Sequence, residues 1–154
     1  MTQKNFTLIV KEVFNRFLKD FFNYDAQNPI EIVEEKDGHF DNVIFISLFG
    51  NIEGAFLLEI DNPTAEKMLG IIALSTQKNL KLSELVKGYI GEFGNILASR
   101  VISNLGKDFG DTFLSTPSLF CGTGMMVDLF YDKNYITDLL TDFGLIKVSF
   151  SVKS

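Results

Sequence analysis

The strongest constraint on the fold is that the apolar spacing changes period along the chain. Phe6, Ile9, Val10, Val13, Phe14, Phe17, Leu18, Phe21 and Phe22 recur at steps of three and four, with Lys11, Glu12, Arg16, Lys19 and Asp20 between them. That is the pattern of an amphipathic helix lying on a core. After Pro29 it gives way to short β-type runs, IEIVEEK, NVIFISLFG and GAFLLEID, separated by DGHFD and NIEG. These read as a three-stranded antiparallel meander. Asn62 and Pro63 then have the form of an N-cap followed by a first-turn proline, opening the helix PTAEKMLGIIAL. The polar STQKNLK leads to Ser83, the expected N-cap of a long helix that runs to Gly106. Strand-like FLSTPSLFCG, YITDLLTD and LIKVSFSV follow, with Asp142, Phe143 and Gly144 as a hairpin turn; GTGMMVDLFYDKN fits either a strand or an extended loop. The order helix, three strands, two helices, three strands predicts an α+β fold, an antiparallel sheet of about six strands covered by helices.

At 154 residues the chain is read as one domain, 1–154, able to bury roughly two-thirds of its unfolded surface in one core. The interior is rich in phenylalanine, 16 Phe with no Trp. A formal net charge of −6 without any lysine or arginine cluster argues against nucleic acid or an anionic membrane as partner, since both demand basic patches. A folded protein or a small molecule remains. No run of eighteen apolar residues is present, and the first residues lack the form of a signal peptide, so a cytoplasmic location is expected. His39 and Cys121 are the only residues of their kinds. No His/Cys metal site can be built from them within one chain, and the cysteine is expected simply to pack in the core.

Several short matches carry no chemistry. Asp142-Phe143-Gly144 shares its letters with the kinase metal-binding triplet but has none of that fold's other motifs. Gly122-Thr123-Gly124 lacks the rest of a phosphate-binding fingerprint, and DGHFD is too short for a calcium loop.

The long helix, LVKGYIGEFGNILASRVISNLG from Leu85 to Gly106, carries Gly88, Gly91 and Gly94, although each costs about 1 kcal/mol against alanine. At 100° per residue Val86, Tyr89, Ile90, Phe93, Ile96, Leu97 and Val101 share one wide apolar face, which is core. Gly88, Glu92, Asn95, Ser99 and Ser103 fall on a separate narrow stripe bordered by Gly91. Small residues there surround one carboxylate and one carboxamide whose side-chain roots, at i and i+3, are about 5–6 Å apart. Such a stripe suits close approach by another protein's surface. It is also the ordinary solvent-facing side of an amphipathic helix, and periodicity does not choose between the two.

GEFGNILASRVISNLG, then LSTPSLFCG about ten residues on, then LLTDFGLIKVSFSV, resembles the chemotaxis phosphatase family that contains CheC, CheX and FliY, and CheX in particular. LFGNIEGAFLLEIDNPTAEKMLG is also similar to that family's strand-helix passage, so the resemblance spans nearly the whole chain. It implies a CheC/CheX-like fold and dephosphorylation of a phosphorylated CheY-type receiver protein. Asn95 matches the family asparagine that orients the attacking water, and Glu92 matches the glutamate that contacts the receiver's active-site lysine. Gly88, Gly91, Ser99 and Ser103 would then line the partner-binding surface. The resemblance implies no metal or cofactor in this chain, since Mg2+ and the phospho-aspartate belong to the receiver, and it implies a homodimer paired through sheet edges. Ser99 departs from the glycine usual in the family. The shorter helix has Glu66 but Leu69 where an asparagine would complete a second motif, so one active site is expected. Two other readings of the residues stay open: a non-catalytic module that binds a receiver or flagellar protein through the same stripe, and a sensory domain holding a small molecule among its phenylalanines.

Overall fold

The computed structural model describes residues 1–34, 40–76, 82–105, 109–129 and 131–154, and for residues 71–76 and 82–87 the backbone alone. His39, Gly106 and the side chains of Ser83 and Val86 therefore lie outside what is described; the backbone starts the long helix at Leu82, which puts Ser83 within it rather than at its cap, and ends it at Asn104.

Helix α1 spans Gln3–Phe22 and buries Phe6, Val10, Val13, Phe14, Phe17 and Leu18, the stripe its periodicity predicts. Its start is capped by the Thr2 hydroxyl, which accepts from the Asn5 amide at 3.2 Å. Its end turns on Asn23 in the left-handed region at φ 48°, with the Tyr24 amide donating back to the Leu18 carbonyl at 3.1 Å, so two of the last orphan carbonyls are satisfied. The strands are β1 (Glu31–Val33), β2 (Phe40–Gly50), β3 (Gly54–Ile60), β4 (Thr112–Leu114), β5 (Ser118–Met125), β6 (Lys133–Leu140) and β7 (Leu145–Val152). Helices α2 (Asn62–Thr76) and α3 (Leu82–Asn104) lie between the two sets.

All pairings are antiparallel, in the order β1-β6-β7-β3-β2-β4, with β5 also on β2. The expected three-stranded meander does not form. β2 and β3 make a hairpin, but β1 pairs with β6 at the far end of the sheet. β2 is bounded by β3 on one side and by β4 and β5 on the other, and β1, three residues and largely exposed, suits an edge. The central place beside β3 goes to β7, whose Ile146, Val148 and Phe150 stand level with Ile60, Leu58 and Phe56. FLSTPSLFCG divides into β4 and β5 around Pro117, which cannot donate to a ladder; hence seven strands rather than six. The helix expected to be capped by Asn62 is capped instead by Asp61, whose carboxylate accepts from the Thr64 amide at 2.8 Å. Asn62 uses its carboxamide oxygen to accept from buried Asn42 at 2.9 Å.

The three helices cover one face of the sheet. There Ile44, Ile46, Leu48, Phe56, Leu58, Ile146, Val148 and Phe150 are fully or almost fully buried. Phe6 stacks on Phe150, and Phe14 and Phe17 meet the ring of Phe93 edge-on. The ambiguous GTGMMVDLFYDKN ends β5 and then crosses the opposite face, where Val127, Leu129 and Tyr131 pack on Val43, Ala55 and Leu57. The turn at Asp142 is as expected, closed by the Thr141 amide to the Gly144 carbonyl at 3.0 Å. Its carboxylate also accepts from Asn28, Gln27 and Tyr24 at 2.8–2.9 Å. These donors, Asn28 foremost, hold the Asp142 carboxyl below its usual range and tie the chain after α1 to the β6–β7 hairpin.

Candidate functional site

Helix α3 lies with Ile90, Phe93, Leu97, Ala98 and Val101 buried. The three glycines divide by role. Gly94 is buried, and a Cβ there would stand 2.7 Å from Cγ2 of Ile44, so this glycine lets α3 come down onto β2. A Cβ on Gly88 or Gly91 would meet nothing within 4 Å. Internal packing therefore does not explain those two, and their absent side chains keep the outward face low.

On that face Gly88, Glu92, Ser99 and Ser103 are exposed, and Gly91 and Asn95 half-buried, so α3 brings all six sequence-predicted residues to one outward stripe. Neither the Glu92 carboxylate nor the Asn95 carboxamide has a hydrogen-bond or ion-pair partner among the described residues. The serines are turned inward. Ser99 donates to the Asn95 carbonyl at 2.8 Å and Ser103 to the Ser99 carbonyl at 2.7 Å, a local bond that satisfies each hydroxyl against its own helix. The Ser99 hydroxymethyl thus lies along the backbone rather than standing above it.

Beside Glu92 opens a cleft of about 230 Å3 between α1, α2 and α3, walled by residues that include Phe21, Met68, Leu69, Tyr89 and Ile96. Phe21, Tyr89 and Ile96 fall on the helix stripes that the sequence assigns to the core, and a cleft where three helices meet depends on their mutual packing. Phe21 is 51% exposed, with the Arg100 guanidinium over its ring at 5.0 Å and paired with Asp20 at 3.0 Å.

Cys121 does not pack in the core as expected; it is exposed on β5, because β5 is an edge strand with only one neighbour. Among the described residues no group of three His, Cys, Asp or Glu side chains is placed to hold a metal ion, and no helix is long and apolar enough to cross a membrane.

An antiparallel sheet backed by three helices on one face, the longest presenting Glu-x-x-Asn outward, defines a protein of the CheC-like class. Over residues 43–137, more than half of its length, the chain matches the family of the chemotaxis phosphatase CheX, and it belongs to that family. Among solved structures it is similar to the chemotaxis protein CheX from Vibrio vulnificus, at TM-score 0.73 and 18% identity over 99% of both chains. It is also similar to a CheC-like superfamily protein from Shewanella sp. PV-4, at TM-score 0.74 and 14% identity over 97% of this chain and 98% of that one. A third is CheX from Borrelia burgdorferi, solved as a CheX-CheY-BeF3-Mg2+ complex, at TM-score 0.70 and 19% identity over 99% of both chains. At such identities the likeness is one of fold. No curated protein matches the sequence.

Proposed function

We propose that this protein hydrolyses the aspartyl phosphate of a CheY-type receiver. The observation that carries the reading is the outward pair on α3, Glu92 and Asn95, set in a face kept low by Gly88, Gly91 and inward-bonded Ser99 and Ser103. Family membership and the Borrelia burgdorferi complex with CheY support the choice of partner.

The Asn95 carboxamide enters the receiver's site and holds one water in line with the P–O bond to aspartate, its oxygen accepting from the water while its NH2 donates. Water attacks phosphorus, the bond to the aspartyl oxygen breaks, and inorganic phosphate and a free carboxylate result. Such a reaction gains chiefly from positioning, which a neutral amide supplies without repelling the phosphoryl group. Glu92 faces a cationic side chain of the receiver and sets register and partner choice. Mg2+ is the receiver's. Gly88, Gly91, Ser99 and Ser103 admit the partner's surface close to the helix backbone. Two copies of the chain pair through the β5 edge.

The test follows phosphate loss from a phosphorylated receiver alone, with the native chain, and with Asn95→Ala, while binding of each to a beryllofluoride-activated receiver is measured in parallel. The expected result is acceleration by the native chain and a loss of about 100-fold or more in Asn95→Ala with binding kept within a few-fold. Binding without acceleration by the native chain would make this a non-catalytic interaction module instead.

A further inference from the structure

We propose that the cleft beside Glu92 is a binding site for a small organic ammonium ion carrying a single-ring apolar body. Five aromatic side chains line it, Phe17, Phe21, Phe22, Tyr89 and Phe93, and the one charged side chain among the described lining residues is the carboxylate of Glu92. An aromatic lining takes an apolar ring by offset or edge-on packing, and the Glu92 carboxylate adds a full negative charge beside it. No lysine or arginine is among the described lining residues. The guanidinium on the Phe21 ring, that of Arg100, is engaged with Asp20. The described lining thus favours a cation over an anion, in a chain whose net charge is −6.

Size narrows the class. A cavity of 150 Å3 admits benzene, whereas drug-sized ligands occupy roughly 300–1,000 Å3. About 230 Å3 holds one ring and a short side chain, with the ring among the phenylalanines and the ammonium turned out toward Glu92.

The test is titration of the full chain, with no receiver present, by 2-phenylethylammonium, 2-phenylethanol and 3-phenylpropionate, followed by calorimetry and by methyl NMR shifts of Met68, Leu69 and Ile96. The ammonium is expected to bind with a Kd below about 1 mM, the alcohol at least about tenfold more weakly, and the carboxylate not at all. Glu92→Gln should weaken the ammonium about tenfold, the loss of one charge-assisted contact, and leave the alcohol unchanged. Phe21→Ala should weaken both. Glu92 and Phe21 are exposed, so both variants keep the fold. The proposal is overturned by absence of ammonium binding up to about 10 mM, by an alcohol that binds as tightly as the ammonium, by an unaltered affinity in Glu92→Gln, or by shifts confined to methyls outside the cleft.

Discussion

A methyl group added at Gly91 or Gly88 would stand in open space, whereas one added at Gly94 would press on Ile44, a β-branched side chain with no exposure and no route of escape. The three substitutions should therefore differ in sign. Gly88→Ala and Gly91→Ala should each raise stability by up to about 1 kcal/mol, from helix propensity and a less free unfolded chain. Gly94→Ala should lower it by about 1–3 kcal/mol, the usual cost of overfilling a packed site. Urea denaturation of the three variants checks this. Gly70 of α2 is equally open, so it is their place on the outward stripe beside Glu92 and Asn95 that ties Gly88 and Gly91 to docking. Gly91→Leu should accordingly leave the molecule folded and weaken receiver binding at least about tenfold; unchanged binding would detach the stripe from docking.

Among the elements, what could be read in advance was whatever depends on one segment at a time. The buried stripe of α1 follows from its three-and-four spacing, and the outward set on α3 follows from 100° per residue, because both are properties of a helix alone. Pairing is not local. Nothing within IEIVEEK says that Glu31 will stand opposite Leu140 rather than a residue of β2, and the aromatic cleft needs three helices in place before it exists. The cap at α2 was missed by one residue, since Asp61 and Asn62 are both good caps and only the tertiary bond from Asn42 to Asn62 separates them. The sheet holds a further non-local feature, the side-by-side row of Glu59, Lys147 and Asp138 on β3, β7 and β6. Lys147 stands 3.8 Å from Asp138 and over the ring of Phe40. Burial pushes the Glu59 carboxyl up to about 7, Lys147 opposing and Asp138 adding to the rise. An acid with a raised folded pKa favours the folded state most when it is protonated. Its contribution is thus complete below about 4.5 and lost as pH climbs through about 7. Stability should fall across that window by up to about 3 kcal/mol from this group, and Glu59→Gln should flatten that part of the profile. Chemical denaturation of both chains at several pH values between those limits decides it; equal slopes would mean that Glu59 titrates normally.

At the scale of the whole molecule the sheet has two unequal edges. β1 offers three residues, whereas β5 offers the eight of SLFCGTGM, uncharged, with Phe120 55% exposed. A long, uncharged edge strand is a template for another strand. In the dimer proposed above, β5 would run antiparallel to its own image about a two-fold axis, each copy covering the other's β5 edge. Each copy presents its own Glu92 and Asn95, so each should take its own receiver. Sedimentation at micromolar concentration should give about twice the 17.3 kDa of the chain, and receiver titration one site per chain. Phe120→Lys sets like charges against each other across the axis and should yield monomers whose rate per chain is unchanged, because Asn95 lies on α3 and not on that edge. A native chain that sediments as a monomer throughout would refute the pairing, and a monomeric variant that had lost its rate would show that the second copy helps to build the site.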